Sequence, residues 1–287
     1  MKRAFALLPL GLLLAVAPGC GSSGATELDP VASAASKTSD AGSSRVAFEL
    51  TMTAAGEEMS FSGEGISAYD ELRGAMTMDM SSVAPGSGDA TMEVRMVDGM
   101  MYMRMPAALA GEAQLPEGKD WIGFDIEKAL DAAGLGGMSP AQLQQDPSQT
   151  LRLLRASSTN VEEVGEADVR GVDTTRYTAT LDLEQALQVT SGELGLNEKE
   201  RRELRAAAKE LKKQAGVDAI PVDVFVDDDG LLRRMTMKMK MTIEGERVSM
   251  EMAYDYYDFG VDVDVEAPPA SRVLDVTEEI PSDAGQG

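Results

Sequence analysis

The sequence predicts an α+β fold built on a large antiparallel sheet with helices grouped to one side. Three observations lead there. Long stretches alternate apolar and polar residues with a period of two, the mark of a half-buried strand. Short turn signals such as Asp98-Gly99 and Asp228-Asp229-Gly230 separate them. Two helical stretches interrupt the alternation, giving a coarse β–α–β–α–β plan.

The chain opens on an export signal. Lys2 and Arg3 form a basic start, and Ala4 to Val16 is mostly apolar but too short for a good membrane span, which needs roughly 20 residues. Two cleavages compete. Ala15-Val16-Ala17 has the small-x-small pattern of ordinary secretion, but that cut leaves Pro18 next to the scissile bond. The alternative, Ala17-Pro18-Gly19-Cys20, resembles a bacterial lipobox, with Ala17 in place of the usual Leu and an unusual Pro18. It predicts a signal over 1–19 and a lipid on Cys20, the one cysteine of the chain. Two acyl chains at about 0.8 kcal/mol per buried CH₂ anchor a protein stably.

Residues 20–29 read as a Gly/Ser-rich tether, 30–280 as one domain and 281–287 as a disordered tail. Asp29 and Pro30 predict the N-cap and first position of a helix over Val31–Lys37. Strands follow. Phe48, Leu50 and Met52 alternate, a turn at Ala55-Gly56-Glu57 intervenes, and Met59 and Phe61 return. Met76, Met78 and Met80 come next, then a loop over Pro85–Gly88. Met92, Val94 and Met96 precede the Asp98-Gly99 turn, and Met101, Met103 and Met105 follow it.

Trp121–Phe124 predicts a short strand, and helices are expected at Ile126–Ala133, Pro140–Gln145 and Pro147–Ala156. Two strands, Asn160–Ala167 and Val172–Leu183, meet at Arg170-Gly171. Asn197 caps a charged helix reaching Gln214 with a narrow stripe of Leu204, Ala208 and Leu211. The last section is β: Val222–Val226, Met235–Met241 and Val248–Tyr256. Asp262 and Asp264, alternating with Val261, Val263 and Val265, predict a charged edge strand. Pro268-Pro269 is expected to end regular structure.

Composition excludes several functions. The formal charge is −23, a surface that repels nucleic acid and anionic headgroups. There is no histidine, so a Ser-His-Asp or Cys-His site cannot form, and the commonest zinc ligand is missing. Asp227–Gly230 fails the EF-hand pattern because Phe225 and Thr236 stand where acids are required. No cofactor motif is present, and no acid pair stands out for hydrolysis.

The 19 methionines are the unusual feature. Strands generally prefer Val, Ile and aromatics on a core face, whereas Met is flexible and suits surfaces that accept variable apolar ligands. The stripes read either as ordinary core or as the wall of an apolar cavity. In the second reading the lining residues are Met76, Met78, Met92, Met101, Met103, Met237, Met239, Met250 and Met252.

Four segments carry a family resemblance: Val97-Asp98-Gly99-Met100-Met101-Tyr102-Met103, Trp121-Ile122, Gly171-Val172-Asp173-Thr174-Thr175-Arg176-Tyr177, and Pro221–Asp227 with Gly230, Arg233 and Arg234. With the lipobox-like start they resemble LolA-like lipoproteins of the actinobacterial LppX/LprG type. The resemblance implies a half-open β-barrel, a large curved sheet with helices packed over its concave face. It also implies a non-catalytic carrier of lipids or lipoglycans, held at the membrane on the extracellular or periplasmic side. The competing expectation is an envelope interaction module with a filled core and a protein partner.

Overall fold

The computed structural model describes residues 28–82, 90–106, 115–132, 147–182, 219–243 and 246–279, with scattered helical positions between 185 and 209. The signal, Cys20, nearly all of the tether, the Pro85–Gly88 loop, the Pro140–Gln145 helix, most of the 197–214 helix and the tail lie outside these residues.

Hairpins form where the sequence supplies tight turns. β1 (Ser43–Ala54) and β2 (Glu57–Ala68) meet at Ala55-Gly56, with φ of 54° and 85°. β4 (Thr91–Val97) and β5 (Met100–Arg104) meet at Asp98-Gly99, with φ of 51° and 80°. β7 (Ser158–Val169) and β8 (Val172–Asp182) meet at Arg170-Gly171, with φ of 54° and 81°. Two successive left-handed residues give the turn whose twist matches that of paired strands. The remaining strands are β3 (Gly74–Asp79), β6 (Trp121–Asp125), β9 (Ala219–Asp227), β10 (Leu232–Ile243), β11 (Glu246–Tyr257) and β12 (Val273–Asp275).

All twelve strands join one open sheet in the order β12-β6-β5-β4-β3-β2-β1-β11-β10-β9-β8-β7. Every pairing is antiparallel except β12 with β6. Both edges are blunted against pairing with other chains. β12 is three residues long, and β7 carries Glu162, Glu163, Glu166 and Asp168 together with two register shifts.

Helices α1 (Leu28–Asp40) and α3 (Pro147–Ser157) pack on one half of one face, and α2 (Ile126–Ala132) follows β6. Val31, Ala34 and Ala35 of α1 and Leu151 and Leu154 of α3 are buried against Val222, Val224 and Val226 of β9 and Leu232 and Met235 of β10. The small Ala34 and Ala35 let the two helices approach closely. Fully buried Thr38 ties α1 to the sheet by accepting the Leu232 N–H at 3.0 Å.

Glycine sets the curvature. Gly65 of β2 faces Met76 of β3, and a Cβ there would stand 2.6 Å from the Ala75 carbonyl oxygen. At Gly63 a Cβ would meet the Phe48 ring and the Thr77 carbonyl. The sheet is bent so tightly along the β2–β3 seam that only glycine fits, as at the corners of barrels.

Three expectations need correction. The first helix starts at Leu28 and runs to Asp40, with Asp29 and Pro30 inside its first turn. Proline is tolerated there because its missing N–H has no intrahelical partner to lose. Val261–Val265 is not a strand. This segment crosses the strands instead of lying along one. The Gly260 N–H donates to the Ser43 carbonyl and Ser43 Oγ to the Val261 carbonyl, on β1. Arg73, just before β3, donates to the Val265 carbonyl at 2.9 Å, and Arg95 of β4 to the Glu266 carbonyl at 3.0 Å.

Nor does regular structure end at Pro268-Pro269. A 3-10 turn (Ala270–Arg272), β12 and a second turn (Thr277–Glu279) follow. They are held by Lys119 on the carbonyls of Ala270 and Val273 and by the Arg272–Asp120 ion pair. Near this strap lies buried Trp121, with the guanidinium of Arg95 4.8 Å and that of Arg104 5.5 Å from its ring.

The seam predicts that Gly65→Ala destabilises the protein by about 1–3 kcal/mol, because a backbone carbonyl must move. Urea denaturation of the two proteins checks this, and equal midpoints contradict it.

Candidate functional site

Strand register decides which side chains share a face. Residues directly opposite on paired strands point the same way, and alternate residues along a strand do too. Met237 pairs with Met252 and Met239 with Met250. Met252 pairs with Leu50 and Met250 with Met52. Leu50 then faces Phe61, Met52 faces Met59, and Phe48 faces Gly63. Gly63 pairs with Met78 and Gly65 with Met76. Met78 pairs with Met92 and Met76 with Val94, and Val94 with Met103. Met101 lies opposite Met96.

Followed strand by strand, this puts all nine methionines expected as lining on the face that carries Val46, Val224 and Met235, the helix-covered side. None of the nine is in the fully buried core and none is fully exposed; each is half-buried. Met235, on the same stripe, is core under the helices.

The sequence-based lining omitted residues that the register adds: Phe48, Leu50, Met52, Met59, Phe61, Val94, Met96, Ile122, Phe124 and Tyr254. The same alternation marks most of them. What sequence alone lacks is the pairing that shows two distant stripes to be neighbours. Where β1 to β5 curl, Val46, Met76, Val94, Met96 and Met101 line an apolar pocket of about 160 Å³.

Tyr254 stands on this face with its ring 6.3 Å from Phe48. Burial pushes its phenol above the ordinary value of 10.0, since the phenolate is poorly solvated there.

The opposite face is polar. Arg234 grips Asp255 through two hydrogen bonds of 2.5 and 2.7 Å. Arg176 pairs with Asp223 at 2.8 Å and Lys238 with Glu251 at 2.7 Å. Glu93 bridges Arg95 and Arg104 at 2.6 and 2.7 Å. A broad hollow of about 810 Å³ runs over this face, with a floor of small side chains such as Ala47, Ser62, Thr77 and Ala253. Opposite charges are thus paired across this face, with Asp255 itself buried.

Asp227 does not serve a calcium loop. Its carboxylate accepts from the Leu231 N–H at 2.8 Å and from Arg233 at 2.5 Å, closing the β9–β10 turn. Among the described residues, no group of three or more His, Cys, Asp or Glu is placed to hold a metal, and no helix is long and apolar enough to cross a membrane.

No protein-family model matches the chain. It is 31% identical over 251 residues to the uncharacterized 31.2 kDa protein of the rplA-rplJ intergenic region of Streptomyces griseus, covering 84% of this chain and 76% of that one. It is 29% identical over 253 residues to a protein of Streptomyces coelicolor named as a candidate lipoprotein, covering 85% and 73%. Among solved structures it is similar to the Mycobacterium tuberculosis lipoprotein LppX, with a TM-score of 0.46, 14% identity and coverage of 83% and 98%. The chain belongs to the family of the Streptomyces griseus protein.

Tyr254 yields a pH prediction. Its folded-state pKa is raised, so its contribution to stability is complete below the unfolded value and is lost as pH rises toward the folded one. Between neutral pH and alkaline conditions above about pH 10, Tyr254→Phe therefore loses less stability than the unaltered protein. Denaturation midpoints across that range check this, and parallel losses contradict it.

Proposed function

We propose that this protein is a lipid-anchored envelope lipoprotein that binds the acyl chains of a lipid or lipoglycan against its methionine face, without catalysis. The single observation that carries the reading is the gathering of nine half-buried methionines from five strands onto one concave face. Met76, Met237 and Met239 pack against the edge of the core, and the other six also keep part of their apolar surface uncovered. An acyl chain that covers them gains about 25 cal/mol per Å² of apolar area removed from water.

The apolar pocket of about 160 Å³ is smaller than common ligand sites, which run about 300–1,000 Å³. An acyl chain enters by displacing methionine side chains, whose three rotatable bonds and soft sulfur let them repack at low cost. The bent β2–β3 seam supplies the concavity. Cys20 with its lipobox-like approach supports the anchor, which holds the face beside the bilayer from which its ligand comes. The name of the Streptomyces coelicolor relative points the same way.

Native mass spectrometry of the protein isolated from its own membranes tests both parts. The expected result is a diacylglyceryl mass on Cys20 and a second, non-covalent lipid. Met237→Glu, which places a charge on the apolar face, abolishes the second mass, and Met237→Leu keeps it. A protein without non-covalent lipid in every form refutes the carrier reading and favours the interaction module. An unmodified Cys20 refutes the anchor.

A further inference from the structure

One line of side chains on the methionine face differs from the rest. Met239, Met250, Met52 and Met59 stand in direct register on four neighbouring strands, β10, β11, β1 and β2. Elsewhere on the face the cross-strand rows mix methionine with other residues: Met237 and Met252 continue into Leu50 and Phe61, and Met76 into Val94 and Met103. The all-methionine row lies near the end of both hairpins, close to the β1–β2 turn at Ala55-Gly56, and its members are half-buried.

We propose that this row is a site for a soft monovalent cation, Cu(I). Thioether sulfur is a soft, neutral donor that selects Cu(I) over hard cations. Neighbouring strands lie about 4.8 Å apart, and the flexible methionine side chain lets the sulfurs of three consecutive neighbours meet at one ion. Met250 and Met52, at the centre of the row, belong to every such trio.

The surroundings favour a cation. Glu57 shares the face of Met59 and Glu246 that of Met250, both exposed at the hairpin ends. They add local negative charge to a chain of formal charge −23. A half-buried position leaves the ion partly solvated and avoids the cost of a charge sealed in an apolar interior. Thioethers carry no proton at any ordinary pH. Binding therefore releases none, and affinity stays level where a thiolate or imidazole site weakens with acid.

The site goes beyond the lipid-carrier reading and does not rest on it. Leucine at these positions keeps the face apolar and its volume nearly unchanged, so it removes the ligands without removing the lipid surface.

The test is an anaerobic titration of purified protein carrying Cys20→Ser with Cu(I), in competition with bicinchoninate. The expected result is one Cu(I) per chain, bound with equal affinity at about pH 6 and about pH 7.5, where Glu57 and Glu246 stay ionised, and a sulfur-only shell in X-ray absorption. Met52→Leu and Met250→Leu each weaken binding at least about tenfold, while Met78→Leu and Met92→Leu leave it unchanged. Stoichiometry below one, a nitrogen or oxygen shell, or unaltered affinity in both central variants overturns the site. Lipid content of the same variants, read by native mass spectrometry, separates its failure from that of the carrier reading.

Discussion

The pairing of β1 with β11 is the constraint on which the rest depends. It joins two meanders that are far apart in sequence, β1 to β6 and β7 to β11, into one sheet. Its register sets Val46 opposite Tyr256, Phe48 opposite Tyr254, Leu50 opposite Met252 and Met52 opposite Met250. A slip of one residue would turn one meander over relative to the other and put half the methionines in water. Burial of Val46 and Tyr256 beneath the helices disfavours that slip. The continuous apolar face is thus a consequence of one long-range ladder.

The two halves of that face have different fates. Over β8 to β10, α1 and α3 cover it and the side chains become core: Val222, Val224, Leu232 and Met235 are buried. Over β2 to β5 the tight glycine seam curls the sheet, and methionines line the hollow. The strap from Asp258 to Glu279 ties the curled half from outside, running from the start of β1 to β6 through the carbonyls that Arg73, Arg95 and Lys119 hold.

Much of this was legible in the sequence, and the parts that were not share a cause. The alternating stripes and the Asp98-Gly99 and Arg170-Gly171 turns located the hairpins, because those signals are local and each has a steric basis. The Val-Asp alternation at 261–265 misled, because an extended segment that crosses a sheet shows the same period as a strand within it. β12 was invisible because three residues in a parallel pairing leave no pattern, and the prolines before it read as an end. The methionine list was incomplete for a related reason. Met52 and Met59 alternate as clearly as Met76 and Met78, but their place beside Met250 comes from a ladder that no local window contains.

The proposed contact of acyl chains with the concave methionine face is open to measurement. Methionine-methyl NMR with carbon-13 label tests it directly, with a single-chain fatty acid added to the folded protein. Chemical-shift changes and protein–ligand contacts are expected at Met78, Met92, Met237 and Met252, and none at Met100, which the β5–β6 register sets on the opposite face. Unchanged resonances on the concave face, or changes centred on Met100, would contradict it.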